Sequence, residues 1–190
     1  MLEKILEWDR ETFIYLNNLG IERYDAFWVT VTDFVNWTPL FLLFIGIIFW
    51  KYPKREAFFV ILTLLSMILF VVTLTDLTKN AVARLRPNNT EEISTLIRIL
   101  KTPTTYSFFS GHSSSSFSIA TLLVLFLRHR FLWCWLMYLW ALLMVASRVF
   151  VGVHYPVDII VGGLVGVLSA FFFYMLYMRL IVPTLGLSRP

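Results

Sequence analysis

Charged residues are scarce in this 190-residue chain, because Asp, Glu, Lys and Arg together make up only 15% of it, while hydrophobic residues make up 58%. Soluble globular domains carry about 25% charged residues. The scarcity excludes an ordinary soluble domain and indicates a protein embedded in a membrane.

Cysteine is nearly absent too. The single Cys134 lies within an apolar run, which excludes an intramolecular disulfide and a cysteine-based metal site, so we expect it to serve in packing. Internal repeats and low-complexity tracts are also missing. The sequence therefore predicts a single domain over residues 1–190.

The net charge of +4 comes from Lys and Arg scattered over short loops, without a basic tail or a nucleic-acid motif. We therefore expect membrane lipids, and no nucleic acid, as partners. The sequence gives no indication of an oligomeric state.

The N-terminus lacks the basic segment and apolar core of a signal peptide, so we expect no cleavage there. Within residues 1–20, apolar side chains instead recur at helical spacing, at Leu2, Ile5, Leu6, Phe13 and Leu16. This spacing predicts an amphipathic helix lying at the membrane interface.

Long apolar runs are what the chain does contain, and they fall at residues 26–50, 56–78, 111–127, 131–148 and 156–178. As helices, such runs span the ~30 Å hydrocarbon core of a bilayer. The sequence therefore predicts an all-α, polytopic transmembrane bundle of about five spans plus the N-terminal amphipathic helix.

Short basic loops predict the orientation of this bundle. They follow the first, third and fifth runs and contain Lys51, Lys54, Arg55, Arg128, Arg130 and Arg179. Since basic loops stay in the cytoplasm, the connection over 79–110 and the turn over 149–155 would lie on the outer face.

That outer face would collect nearly all of the chemically active side chains: Lys79, Arg84, Arg86, Ser110, Gly111, His112, Arg148, His154 and Asp158. Ionisable residues at membrane depth are energetically unfavourable, so they usually mark a functional site. Cations with few carboxylates nearby favour an anionic ligand such as phosphate. The alternative is that the cations extend to lipid headgroups.

Helical spacing over seven residues places Lys79 and Arg86 on one face, with Pro87 ending the helix. Arg84 would point elsewhere, and it receives no assigned role. Ser110 and Gly111 begin the third span, where unpaired backbone N–H groups and a small residue favour a bound phosphate.

Two histidines could supply the chemistry. His112 and His154 are candidates for acid, base or nucleophile, and Asp158, four residues after His154, could orient that ring. The alternative for two His and one Asp is a metal site, but the surrounding cations would repel a divalent ion.

Three motifs carry a family resemblance: "KNAVARLRP" fits K-x6-R-P, "SGH" is the core of a second motif, and "SRVFVGVHYPVD" fits S-R-x5-H-x3-D. In this order, they resemble those of the phosphatidic acid phosphatase type 2 family of membrane lipid phosphatases, which is related to bacterial acid phosphatases and vanadium haloperoxidases. One departure is Phe109, where the family commonly has Pro.

The resemblance implies a phosphate site formed by Lys79, Arg86, Ser110, Gly111 and Arg148. It further implies that His154 is the nucleophile, that Asp158 orients it, and that His112 protonates the leaving group. No metal and no cofactor would be needed.

By this resemblance we expect a lipid phosphate or diphosphate phosphatase with a phosphohistidine intermediate, acting on the outer face of a bacterial cytoplasmic membrane. Undecaprenyl diphosphate is the leading substrate, with phosphatidylglycerophosphate, phosphatidic acid and lipid A 1-phosphate as alternatives. A non-enzymatic lipid-phosphate binder or transporter and a haloperoxidase are the competing functions.

Some motifs have a structural interpretation. Gly162, Gly166 and Ala170 form a row of small residues that favours close helix packing. The run 113–116 consists of serines that would cap or satisfy backbone. Asp33 and Asn36 either face the bundle or mark a headgroup pocket.

Overall fold

The structure of the protein, a computed structural model, describes residues 2–188, so that residues 1 and 189–190 of the predicted domain lie outside it. Its α-helices are Leu2–Asn18 (α1), Asp25–Val31 (α2), Thr38–Lys51 (α3), Lys54–Val82 (α4), Glu91–Ser94 (α5), Gly111–Leu127 (α6), Leu136–Phe150 (α7), Pro156–Leu176 (α8) and Val182–Leu185 (α9). Short 3-10 helices occupy Glu22–Tyr24, Phe34–Trp37, Pro87–Asn89 and Leu132–Trp135, and Tyr177–Ile181 forms a π-helical turn. The predicted all-α fold is confirmed.

Five helices correspond to the predicted spans. Within residues 2–188, the four stretches that contain α3, α4, α7 and α8 are long and apolar enough to cross a membrane, and α6, with 17 residues, is shorter. Helix α6 lies at the centre and packs against α4, α7 and α8. Its second half is buried from Ile119 to Leu127, so it forms the core around which the other spans gather. Cys134 is buried in this core, as expected.

Serines at the start of α6 are satisfied within the bundle. The hydroxyl of Ser113 donates to the carbonyl of Ile159 at 2.7 Å, and the hydroxyls of Ser114 and Ser116 donate to carbonyls of α6 itself. A buried hydroxyl without a partner would be unfavourable in an apolar bundle. The expectation that these serines satisfy backbone groups is confirmed for these three.

Helices α6 and α8 approach closely because α8 presents glycines to α6. A methyl group added at Gly162 would lie 2.6 Å from the carbonyl oxygen of Ser110, and one added at Gly166 would overlap that of Ser114. Small residues let helix backbones approach in this way. The predicted packing role of both glycines is confirmed.

The prediction of one continuous helix over 26–50 is wrong. Helix α2 ends at Val31, and α3 begins only at Thr38. Between them, the Oδ1 of Asp33 accepts a hydrogen bond from the amide of Val35 at 3.1 Å, and the side-chain amide of Asn36 donates to the carbonyl of Thr30 at 2.8 Å. Short polar side chains that form hydrogen bonds with local backbone compete with the hydrogen bonds of a helix, and here they keep α2 and α3 separate.

The predicted end of α4 at Pro87 is also wrong. The helix stops at Val82, and Ala83 takes a left-handed conformation with φ 50°. Arg86 therefore lies in extended chain and does not share a helix face with Lys79. Pro87 instead begins a 3-10 turn.

Helix α1 is amphipathic as predicted, but its buried stripe is partly polar. Asp9, Phe13 and Asn17, spaced four apart, are all buried, whereas Ile5 and Leu6 are exposed. The ring of Phe13 packs edge-on against Tyr155 at 5.4 Å, and Asn17 donates to the carbonyls of Arg98 and Val149. Helix α1 is thereby fixed onto the end of the bundle that carries the 149–155 turn. Leu16 is half-buried, and the side chain of Leu2 lies outside the described residues.

We expect Gly166→Ala to destabilise the bundle by about 1–3 kcal/mol, the usual effect of overpacking a tight contact. The added methyl would push α8 away from α6. Thermal unfolding in detergent measures the change, and Gly46→Ala is the matched control, because a methyl at Gly46 would meet nothing within 4 Å. An unchanged melting temperature for Gly166→Ala would contradict the tight contact.

Candidate active site

His154 is the centre of the polar cluster at the end of the bundle that carries the 149–155 turn. It lies in the turn between α7 and α8, and only 1% of its surface is exposed. Its Nε2 lies 3.0 Å from the Nη1 of Arg86, and a guanidinium can only donate. The Nε2 must therefore carry a lone pair, and the neutral ring holds its proton on Nδ1.

Electrostatics keep this ring neutral. Burial lowers the pKa of His154 well below the usual range of a histidine, and the positive charges of Arg86, Arg148 and Lys79 lower it further. An uncharged imidazole whose Nε2 carries a lone pair is the form of histidine that can act as a nucleophile, once that lone pair is released from its hydrogen-bond donor.

Ser107 stands on the other side of the ring. Its hydroxyl lies 3.3 Å from the Nδ1 of His154 and donates a short hydrogen bond to the Oδ2 of Asp158. The direct separation between His154 Nδ1 and Asp158 Oδ2 is 3.5 Å. The structure thus brings His154 and Asp158 together as predicted, but a serine that no motif contains links them.

Asp158 is fully buried in the first turn of α8. Its Oδ1 accepts a hydrogen bond from the Nη1 of Arg84 at 2.6 Å, and its Oδ2 accepts the amide of Tyr155 at 3.2 Å. The other arm of Arg84 reaches Asp9 at 2.7 Å. The prediction that Arg84 points away from the site is therefore wrong, because the early end of α4 turns it inward.

Arg86 is fixed by the 79–110 connection. It is 3% exposed, and its Nε donates to the carbonyl of Thr105 at 2.6 Å, while its Nη2 donates to the Thr105 hydroxyl at 2.9 Å. Its Nη1 also reaches the carbonyl of Val153 at 3.1 Å. The guanidinium is thereby held beside His154 without a carboxylate partner among the described residues.

Arg148 and His112 share Thr32, in the break after α2. The Nη1 of Arg148 donates to the Thr32 hydroxyl, and the Nε2 of His112 donates to the Thr32 carbonyl at 3.1 Å. The ring of Phe34 packs on His112 with centroids 5.1 Å apart. Within residues 2–188, the buried Nε of Arg148 has no hydrogen-bond partner.

Lys79 and Gly111 meet where α4 passes the start of α6. A methyl group added at Gly111 would lie 3.9 Å from the Nζ of Lys79. Ser110 caps α6 with its hydroxyl, and its amide donates to the carbonyl of Asp158 at 3.0 Å. Because both groups of Ser110 are engaged, the amides of Gly111 and His112 are the ones that remain at this helix start.

Two polar cavities flank His112. One of about 570 Å³ is lined by Thr32, Asp33, Phe34, Lys101, Thr102, Pro103, His112 and Arg148. The other, of about 170 Å³, is lined by Phe34, Val72, Thr75, Asp76, Lys79, Gly111, His112 and Ser115. His112 therefore stands between a space that contains Arg148 and one that contains Lys79.

Sequence reasoning did not identify Thr32, Thr105 or Ser107, and it gave Arg84 no role. Thr105, which is exposed, and Ser107, which is buried, lie in irregular chain, where no periodicity marks a side chain as part of a site. Arg84 received no role because a helix was assumed to continue through it. Among the described residues, no group of three or more His, Cys, Asp or Glu side chains could hold a metal ion.

Comparison with known proteins identifies the family of this chain. The family profile of the PAP2 superfamily matches residues 59–181. A lipid A 4'-phosphatase of Porphyromonas gingivalis is 29% identical over all of this chain and 81% of its own length, and an undecaprenyl-diphosphatase of Sulfolobus acidocaldarius is 29% identical over 80% of each. The crystal structure of the PAP2 type phosphatidylglycerolphosphate phosphatase from Bacillus subtilis superposes with a TM-score of 0.73 at 18% identity, covering 93% of this chain and 88% of that one.

The matched segment contains all three sequence motifs, from Lys79 to Asp158. The helices superpose on those of a transmembrane enzyme along nearly the whole chain. The chain therefore belongs to the PAP2 superfamily and is a multi-pass membrane lipid phosphatase of the metal-independent class.

Proposed function

We propose that the protein removes a phosphate group from a membrane lipid by transferring it first to His154. The observation that carries this proposal is the state of that ring. Its Nε2 lone pair is oriented by Arg86, and its Nδ1–H is directed to Ser107 and Asp158. This is how a nucleophilic histidine must be held before it attacks phosphorus.

The phosphate oxygens would be bound by Arg86, Arg148 and Lys79, together with the free amides at the start of α6. Buried guanidiniums and helix N-termini are strong oxyanion donors. The unpartnered Nε of Arg148 supports this assignment, because a buried donor in a native protein usually has an acceptor.

In the first step, the phosphate oxygens of the substrate take over the Nη1–H that Arg86 gives to His154. The released Nε2 lone pair then forms the N–P bond while the bond from phosphorus to the leaving oxygen breaks. The ring becomes a phosphoimidazolium that still carries its Nδ1–H, and the Ser107–Asp158 chain stabilises this positive charge. In its protonated form, His112 keeps one N–H on Thr32 and gives the other proton to the leaving oxygen.

In the second step, a water molecule enters where the leaving group stood. His112, now neutral, takes a proton from this water, whose oxygen attacks phosphorus and breaks the N–P bond. His154 regains its lone pair, and inorganic phosphate leaves.

A lipid tail would approach from within the membrane. An apolar cavity of about 420 Å³ lies between α3, α4 and α6. It shares Phe34, Val72 and Ser115 with the polar cavity that contains Lys79 and His112. An apolar space that adjoins a polar one beside Lys79 and His112 suits a tail joined to a phosphate.

We propose undecaprenyl diphosphate as the leading substrate. Its leaving group is a lipid monophosphate, which is itself an anion. Lys101 and Arg148 both line the larger cavity beside His112, where they can pair with that charge. Lipid A is the second candidate, because the full-length match to a lipid A 4'-phosphatase favours it and Asp33 in the same cavity could accept sugar hydroxyls.

We further propose that phosphate is released on the outer face of a bacterial cytoplasmic membrane. Basic residues at the start of α4 and directly after α6, such as Lys54 and Arg128, favour the cytoplasmic side for the helix ends remote from the site.

The roles of His112 and His154 can be distinguished by comparing the activities of their alanine variants on two kinds of substrate. We expect His154→Ala to be inactive on lipid and aryl phosphates, whereas His112→Ala should lose roughly 100-fold or more on the lipid and much less on the aryl ester, since a phenolate needs little protonation. Rapid quenching of labelled substrate in alkaline denaturant should also trap acid-labile phosphate on wild-type protein but not on His154→Ala. His129→Ala, in the exposed loop after α6, is the matched control. If His154→Ala kept aryl phosphatase activity while His112→Ala lost both, the assigned roles would be reversed.

The leaving-group cavity gives a test of the substrate. We expect Lys101→Gln to raise the KM for undecaprenyl diphosphate about tenfold, the loss of one charge-assisted contact, and to change the KM for a lipid monophosphate little. Phosphate release from a panel that includes lipid A measures both, with Lys54→Gln as control. Turnover of lipid A without turnover of undecaprenyl diphosphate would establish the second candidate instead.

Orientation can be tested with an impermeant thiol reagent on intact cells. A cysteine at Asn89 should react, because Asn89 is exposed beside the site, and one at Lys54 should be protected until the cells are opened. Native Cys134 is buried and should stay unlabelled. Labelling of Lys54→Cys but not Asn89→Cys in intact cells would place the site in the cytoplasm.

A further inference from the structure

Asp9 is an unusual residue for an interfacial helix, because it is completely buried. Its Oδ2 accepts a hydrogen bond from the Nη2 of Arg84 at 2.7 Å, and its Oδ1 accepts the backbone amide of Val157 at 2.8 Å. Val157 directly precedes Asp158. Helix α1 is therefore linked to Asp158 in two ways, through the side chain of Arg84 and through the backbone amide of the neighbouring Val157.

Arg84 joins two carboxylates. One arm of its guanidinium binds Asp9, and the other binds the Oδ1 of Asp158 at 2.6 Å. The guanidinium also lies over the ring of Tyr155, 4.1 Å from the ring centre. With both arms and one face engaged, the guanidinium has little freedom, and so the Asp158 oxygen that it holds has little freedom too.

Anchoring α1 does not by itself explain a buried carboxylate. Asn17, two turns further along α1, anchors the helix through uncharged hydrogen bonds to the carbonyls of Arg98 and Val149. Burial raises the pKa of Asp9, against the opposing effects of the Val157 amide and Arg84, so the ion is kept there at an energetic disadvantage. A buried carboxylate at such a disadvantage is kept where a positively charged group needs it as a counter-ion, and Arg84 is that group.

We propose that Asp9 is a positioning residue of the active site, holding Arg84 so that Arg84 orients Asp158 toward Ser107 and His154. Helix α1 is then a part of the catalytic structure as well as a membrane-surface helix. This inference rests on the proposed role of His154 as nucleophile.

The first experiment compares two buried residues of α1. Asp9→Asn should lower kcat about tenfold on both lipid and aryl phosphates, with KM changed by less than about twofold, because charge stabilisation behind the nucleophile weakens while phosphate binding stays. Asn17→Ser should lower the melting temperature and leave kcat unchanged, since it loosens α1 without touching Arg84. Equal loss of kcat in both variants would reduce Asp9 to a structural anchor and overturn the proposal.

A double-mutant cycle tests whether Asp9 acts through Arg84. In an Arg84→Gln background, the further change Asp9→Asn should lower kcat by less than about threefold, because the contact between the two is already lost. The full tenfold loss in that background would show that Asp9 acts independently of Arg84, contrary to the proposal.

An NMR measurement that does not depend on turnover can test this inference independently of the proposed function. In protein with isotope-labelled histidine, the Nδ1–H resonance of His154, assigned through His154→Gln, should move in Asp9→Asn and stay in Asn17→Ser. If wild type released no phosphate from any substrate, the proposed function would be overturned, and this resonance would still test the positioning. An unmoved resonance in Asp9→Asn would overturn the positioning of His154 by Asp9 even in an active enzyme.

Discussion

The hydrogen bond from Arg86 to the Nε2 of His154 is the contact on which the rest of the site depends. It determines which ring nitrogen carries the proton, and so it determines that Ser107 and Asp158 must stand on the opposite side. Arg86 makes this contact from the extended chain that follows the early end of α4, where Ala83 takes a left-handed conformation. The early end of α4 is therefore part of the geometry of the proposed site.

Buried charges in this bundle fall into two groups, those that have partners of opposite charge or hydrogen-bond donors within the protein and those that do not. Around Asp158, each carboxylate oxygen has its own donor, so that the charge is stable without a ligand. Around the proposed phosphate seat, Arg86, Arg148 and Lys79 have no carboxylate bound to them in the described part of the chain. A dianionic phosphate is the kind of group that would complete this second region, and its arrival would change the charge there far more than around Asp158.

The sequence allowed the spans and the motif residues to be predicted because both leave a local signal. Apolar length marks a span, and an arginine or histidine at membrane depth is conspicuous. Ser107 and Thr32 leave no such signal, since each acts through a partner at least 47 residues away in the chain. The break in the first span follows from side-chain hydrogen bonds to local backbone. Arg84 turns inward where it pairs with the carboxylates of Asp9 and Asp158, and hydropathy records neither kind of contact.

The Asp9–Arg84–Asp158 contact has a consequence for the order in which the protein is made. Asp9 precedes every span, and Asp158 begins the last one. A ribosome therefore synthesises one end of this contact long before the other. The proposed nucleophile and its carboxylate partner meet Asp9 and Arg84 only when α8 has packed against α6, so that a partly folded chain would lack the complete site that we propose.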